Sequence, residues 1–188
     1  VTGDLNIIAM RSESTAALGL SALADVQGAL TLANNRSLLS LGTLYNLETV
    51  GSLNISGNTE LTSLVELRSL QGVTGNVSLL DNDNLALSEG FDVLSTIGGN
   101  LHISMANVAN PVSLQDFDAF SALTSVGGAV SLRNLSVATF DGLQNISYGG
   151  SLTVDSVTVS DNCLALAPLV GWGDDNFSSG GVTLNMLG

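Results

Sequence analysis

The chain has 188 residues, enough for one domain with a substantial core. It carries 17 acidic side chains against four Arg and no Lys, a formal net charge of −13, yet only 11% of its residues are charged where about a quarter is usual. With 45% hydrophobic residues it can bury enough surface to offset ordering entropy, which excludes a disordered segment, and the scarcity of basic side chains excludes nucleic-acid or anionic-lipid binding through a positive patch.

Cys163 is the only cysteine, so no intrachain disulfide and no Cys-based zinc site can form. No apolar run reaches the ~18–20 residues that span a bilayer. Val1 does not open a signal peptide, so a secreted form requires a leader outside these residues.

In chain order, one frame recurs: VTGDLNI from Val1, VQGALTL from Val26, VGSLNI from Val50, VTGNVSL from Val73, IGGNLHI from Ile97, VGGAVSL from Val126 and ISYGGSLTV from Ile146. A weaker eighth copy, SGGVTL, ends at Leu184. The starts lie 25, 24, 23, 24, 29 and 20 residues apart. Each frame predicts a short strand, because its apolar pair (Leu5/Ile7, Leu30/Leu32, Leu53/Ile55, Val77/Leu79, Leu101/Ile103, Val130/Leu132, Leu152/Val154, Val182/Leu184) has period two and shares one face. The Gly before each pair suits a tight turn or close packing of coils.

Between strands a second apolar set has period three, as at Leu61, Leu64, Leu67, Leu70 and Val73, and again at Leu41, Leu44, Leu47 and Val50. That spacing predicts corners or short 3₁₀ stretches rather than long α-helices. One coil cannot bury both sets, whereas stacked coils can. The expectation is a single β-rich, right-handed solenoid domain over residues 1–188, of about eight coils with short 3₁₀ or helical turns.

Stretches such as LETVGSLNISGNTELTSLVELRSLQGV and LTSVGGAVSL resemble the receptor L-domain and leucine-rich-repeat superfamily, above all the L-domain-like repeats of fungal and other microbial cell-surface proteins. Asn35, Asn58 and Asn82 each fall three residues after a strand's last apolar residue, matching the asparagine that leucine-rich repeats stack inside the turn. Later coils carry Ala106, Leu135 and Val157 there, so the ladder should stop halfway, which favours an irregular L-domain-like β-helix over a regular horseshoe. The resemblance implies an extracellular or cell-surface location. Neither terminus has the polar cap that solenoids use for solubility, so the chain reads as part of a longer protein or as a unit that stacks on neighbours.

Catalytic chemistry has little to work with. The one His, His102, is expected on the outward surface of a strand, and Arg11, Arg36, Arg68 and Arg133 are dispersed. We expect no enzyme, no cofactor and no metal. The DNDN run from Asp81 and the pair Asp174 and Asp175 offer oxygen ligands of the kind Ca²⁺ takes, but lack an EF-hand loop and suit plain turns that accept left-handed geometry.

Glycosylation sequons occur at Asn35, Asn54, Asn76, Asn134, Asn145 and Asn176. Asn134, Asn145 and Asn176 fall in loops, Asn54 and Asn76 on strands, and Asn35 conflicts with its ladder role. Aromatic side chains (Tyr45, Phe91, Phe117, Phe120, Phe140, Tyr148, Trp172, Phe177) fall mostly where wide corners need filling.

One outward column of the sheet reads Asn6, Thr31, Asn54, Ser78, His102, Ser131, Thr153 and Thr183. These residues are uncharged, small apart from His102, and include none of the Tyr, Trp or Arg anchors of most protein interfaces. They are a candidate packing face. The functional expectation is a non-enzymatic structural or assembly module that meets protein partners, either copies of itself or neighbouring surface proteins. A ligand-recognition ectodomain with a concave patch from loops 105–118 and 171–180 is the alternative, and an ice-binding solenoid is third.

Overall fold

A computed structural model describes residues 1–11, 13, 18–105, 113–114, 117–159 and 182–186. The strands are β1 (Leu5–Ile8), β2 (Asp25–Ala33), β3 (Thr49–Ser56), β4 (Gly72–Val73), β5 (Val77–Leu80), β6 (Thr96–Ile97), β7 (Leu101–Ser104), β8 (Ser113–Leu114), β9 (Ser125–Val126), β10 (Val130–Arg133), β11 (Ser136–Val137), β12 (Ser147–Tyr148), β13 (Leu152–Val159) and β14 (Val182–Met186). Every pairing between them is parallel, and each joins one coil to the next.

The repeat sets the register. Leu5, Leu30, Leu53, Val77, Leu101, Val130, Leu152 and Val182 pair in one continuous column across β1, β2, β3, β5, β7, β10, β13 and β14. Their partners two residues on, from Ile7 to Leu184, form a second column. A slip of one residue would turn both columns outward, so burial enforces the pairing. The chain is a parallel β-solenoid of about six turns, slightly fewer than the eight coils expected, although all eight frames contribute a strand to the column.

The period-three stretches close the coils as predicted. Single 3₁₀ turns occur at Leu20–Ala22, Val65–Leu67, Asp118–Phe120 and Asp141–Leu143. Bonds three residues apart, such as Leu47 N–H to the Leu44 carbonyl at 3.0 Å and Leu70 N–H to that of Leu67 at 2.9 Å, bring every third side chain inward. Leu61, Leu64, Leu67 and Leu70 are all fully buried, and each such side chain contributes about 1.5–3 kcal/mol by leaving water. In the later coils Phe replaces Leu. Phe91 and Phe120 have ring centroids 5.0 Å apart, and Phe117 stacks on Phe140 at 5.5 Å, so these four phenylalanines fill the corners.

A residue of positive φ follows directly on β1, β2, β3, β5 and β10, namely Ala9, Asn34, Gly57, Asp81 and Asn134, and Ser156 takes the same geometry within β13. The next residue in the first turns is Met10 and then the predicted asparagines. Asn35, Asn58 and Asn82 are completely buried. Asn58 Oδ1 accepts from the backbone N–H of Asn35 at 3.0 Å, while its Nδ2 donates to the Leu32 carbonyl at 2.9 Å and to Asn82 Oδ1 at 3.2 Å. Asn35 and Asn82 repeat the arrangement. Leu135 and Val157 occupy the position later, also buried. There the chain resumes pairing beyond the bend, β11 with β8 and with the far end of β13, so interstrand bonds replace the amide ladder. Ala106 lies outside the described residues.

Candidate functional site

Three outward columns build the flat face. The first contains Asp4, Ala29, Ser52, Asn76, Asn100, Ala129 and Ser151. Several of its side chains are structural: Asp4 Oδ1 accepts from Ala29 N–H, Asn76 Oδ1 from Asn100 N–H and Asn100 Oδ1 from Ala129 N–H, each at 2.8 Å. Coils stack so tightly beside this column that glycine is required. A Cβ on Gly99 would collide with Asn76 Oδ1, and one on Gly128 with Asn100 Oδ1.

The second column is the candidate packing face. Asn6, Thr31, Asn54, Ser78, His102, Ser131, Thr153 and Thr183 pair in strict register with no bulge within the column. Asn6 is exposed and the residues from Thr31 to Thr153 are half-buried, while the side chain of Thr183 lies outside the described set. His102, expected as an exposed surface histidine, is instead half-buried, and its Nε2 is shielded from solvent without a hydrogen-bond partner. Burial, then the nearby Arg133 charge, lowers its pKa below that of an ordinary imidazole. Asn54 Oδ1 is likewise shielded and unpartnered.

The third column reads Ile8, Ala33, Ser56, Leu80, Ser104, Arg133, Asp155 and Asn185. Arg133 Nε donates to Ser131 Oγ at 3.2 Å, tying this edge to the centre. Across all three columns the only charged side chains are Asp4, Arg133 and Asp155. The face is nearly neutral although the molecule carries −13.

A separate groove of about 380 Å³ follows the bend where the coil turns away from this face. It crosses four coils, with Thr49, Thr74, Thr96 and Ser125 supplying hydroxyls, Val73 and Ile97 apolar surface, and Gly72 a gap in the side-chain row. Thr49, Gly72, Thr96 and Ser125 share one register column. Sequence reasoning missed this groove, because it depends on short strand pairs that the dominant frame obscures. The recurring Val/Ile–x–Gly at Val73, Ile97 and Val126 was the available signal.

The sequons separate by geometry. Asn35 cannot carry a glycan, since its Nδ2 is buried and donates to the Ile7 carbonyl and Asn58 Oδ1. Asn134 donates its Nδ2 to the Met105 carbonyl at 3.2 Å. Asn145 and Asn76 are exposed, and Asn54 is half-buried. Asn54 and Asn76 lie on the flat face, so a glycan there and face-to-face packing would exclude one another. Asn176, Trp172, Phe177, Asp174 and Asp175 lie outside the described residues, as does most of the two loops expected to form a concave patch.

In the DNDN run, Asp81 takes left-handed geometry, Asn82 belongs to the buried ladder and Asn84 Nδ2 bonds the Thr59 carbonyl at 2.7 Å. Among the described residues no group of three or more His, Cys, Asp or Glu could hold a metal ion, and no helix is long and apolar enough to cross a membrane. No family model matches the chain, and searches of curated proteins and of solved structures return no significant match.

Proposed function

We propose that this chain is a non-enzymatic module of an extracellular or cell-surface assembly, an L-domain-like rod that acts by presenting a rigid flat surface to protein partners. The observation that carries the proposal is the unbroken register of the column from Asn6 to Thr183, which holds uncharged groups, all small but His102, in line over eight neighbouring strands. Inter-coil bonds from the asparagine ladder and the first outward column add stiffness that packing demands.

Electron microscopy of the native source, with the chain localised by antibody, tests the proposal. Labelled fibres or layers support it, and labelled particles dispersed as single molecules refute it. The groove around Gly72 favours ligand recognition as a second reading, because it combines hydroxyls with apolar surface in one concavity. Saturable binding of a small ligand, lost on Thr96→Trp, would establish that reading instead.

A further inference from the structure

We infer that the flat face is a self-recognition surface, on which a second copy of this chain seats face to face. The inference rests on the assembly reading and names its partner. Charge selects the partner. Most of the molecule's surface would repel a copy, because 17 carboxylates outnumber four guanidinium groups. The three-column face largely escapes this, with Asp4 and Asp155 set against Arg133 and a central column free of formal charge, and it runs over eight strands where the equally uncharged groove crosses four coils.

Shape agrees with charge. The central column has no bulge, and its residues are small apart from His102, so two such faces can approach closely. Eight strands at ~4.8 Å spacing and three columns ~6.7 Å apart give a patch of roughly 500–700 Å² per copy once side-chain margins are included. The total buried by a pair is then roughly 1,000–1,400 Å², which reaches the ~1,000 Å² of a specific interface. An isologous pair uses the same patch twice, so no second complementary surface is needed.

The test is sedimentation velocity on the intact chain over a concentration series, at low and at physiological salt. A dimer should form as concentration rises. It should strengthen with salt, because the Debye length falls from ~30 Å at 0.01 M to ~8 Å at 0.15 M and screens the remaining repulsion. Ser78→Glu and, independently, Ser131→Glu each place like charges within the pair and should weaken it by at least about tenfold. Ser121→Glu adds the same charge at an exposed corner off the face and should change it less than about twofold. Circular dichroism identifies the variants that remain folded.

A dimer weakened equally by all three substitutions, or by neither face substitution, overturns the assignment of the face. A chain that stays monomeric at every concentration and salt overturns the pairing itself. Labelled fibres in the source together with a monomeric chain would mean that the assembly reading survives and the partners are other proteins.

Discussion

Replacing Asn58 by Ala removes the centre of the buried amide ladder and should cost about 3 kcal/mol. Two backbone groups lose their partners: the Asn35 N–H, now bonded to Asn58 Oδ1 at 3.0 Å, and the Leu32 carbonyl, now bonded to Asn58 Nδ2 at 2.9 Å. Each buried, unsatisfied group costs about 1–3 kcal/mol, and the vacated volume adds a smaller cavity cost. The contact from Asn58 N–H to Asn82 Oδ1 survives, because it belongs to the backbone. Urea unfolding followed by circular dichroism should show the midpoint falling by about 1–3 M, for a typical slope of about 1–3 kcal/mol per M. Asn46→Ala is the matched control, since exposed Asn46 makes one bond, to the Ser21 carbonyl at 2.6 Å, and its loss should cost under about 1 kcal/mol. Equal effects of the two substitutions would refute the claim that burial makes the ladder indispensable.

Gly98→Ala should destabilise by about 1–3 kcal/mol, because a Cβ there collides with the Thr74 carbonyl oxygen, whereas Gly72→Ala meets only Thr96 Oγ1 at 3.4 Å and should be nearly neutral in thermal melts. Ala9→Gly should stabilise by about 1 kcal/mol, since Ala9 sits at φ 54° where a Cβ is disfavoured, and a lower melting temperature would contradict this. Stability should fall as pH drops through His102's unfolded pKa near 6.5. The folded state resists protonation, the unfolded chain does not, and the loss levels off below the folded pKa. The urea midpoints of wild type and His102→Gln at pH 7.5 and 5.5 measure the difference, and identical shifts in the two proteins would remove His102 as a cause.

The strand columns are legible in the sequence because period-two pairs survive every indel between frames. The asparagine ladder is legible because its three members keep a fixed offset from those pairs. The column of left-handed residues is not, since it contains Ala9 and Ser156 alongside the expected Asn, Asp and Gly. Stacking constraints override local preference there. His102 illustrates a different limit: alternation assigns it outward, but outward on a tightly laddered sheet is only half-exposed. The structural duty of Asn76 and Asn100 is hidden similarly, because the backbone N–H groups that their side-chain Oδ1 atoms accept from belong to the adjacent coil. Of the candidate face, the column membership is readable from the repeat, while its near-neutrality depends on which residues flank it in space.

The asparagine ladder also makes the coils interchangeable. The turn carrying Asn58 offers the preceding turn an amide oxygen and an amide donor, and receives the same oxygen from Asn82 in the following one. Its two sides are therefore complementary to one another. A tandem duplication of residues 50–72 would insert a coil that fits both neighbours without a new contact being devised. In-frame copying of a gene segment could thus lengthen the rod by one coil at a time. The same event in the later coils would have to match Phe117 to Phe140 and renew the β8, β11 and β13 pairing together, so growth should be easier in the asparagine-bearing half.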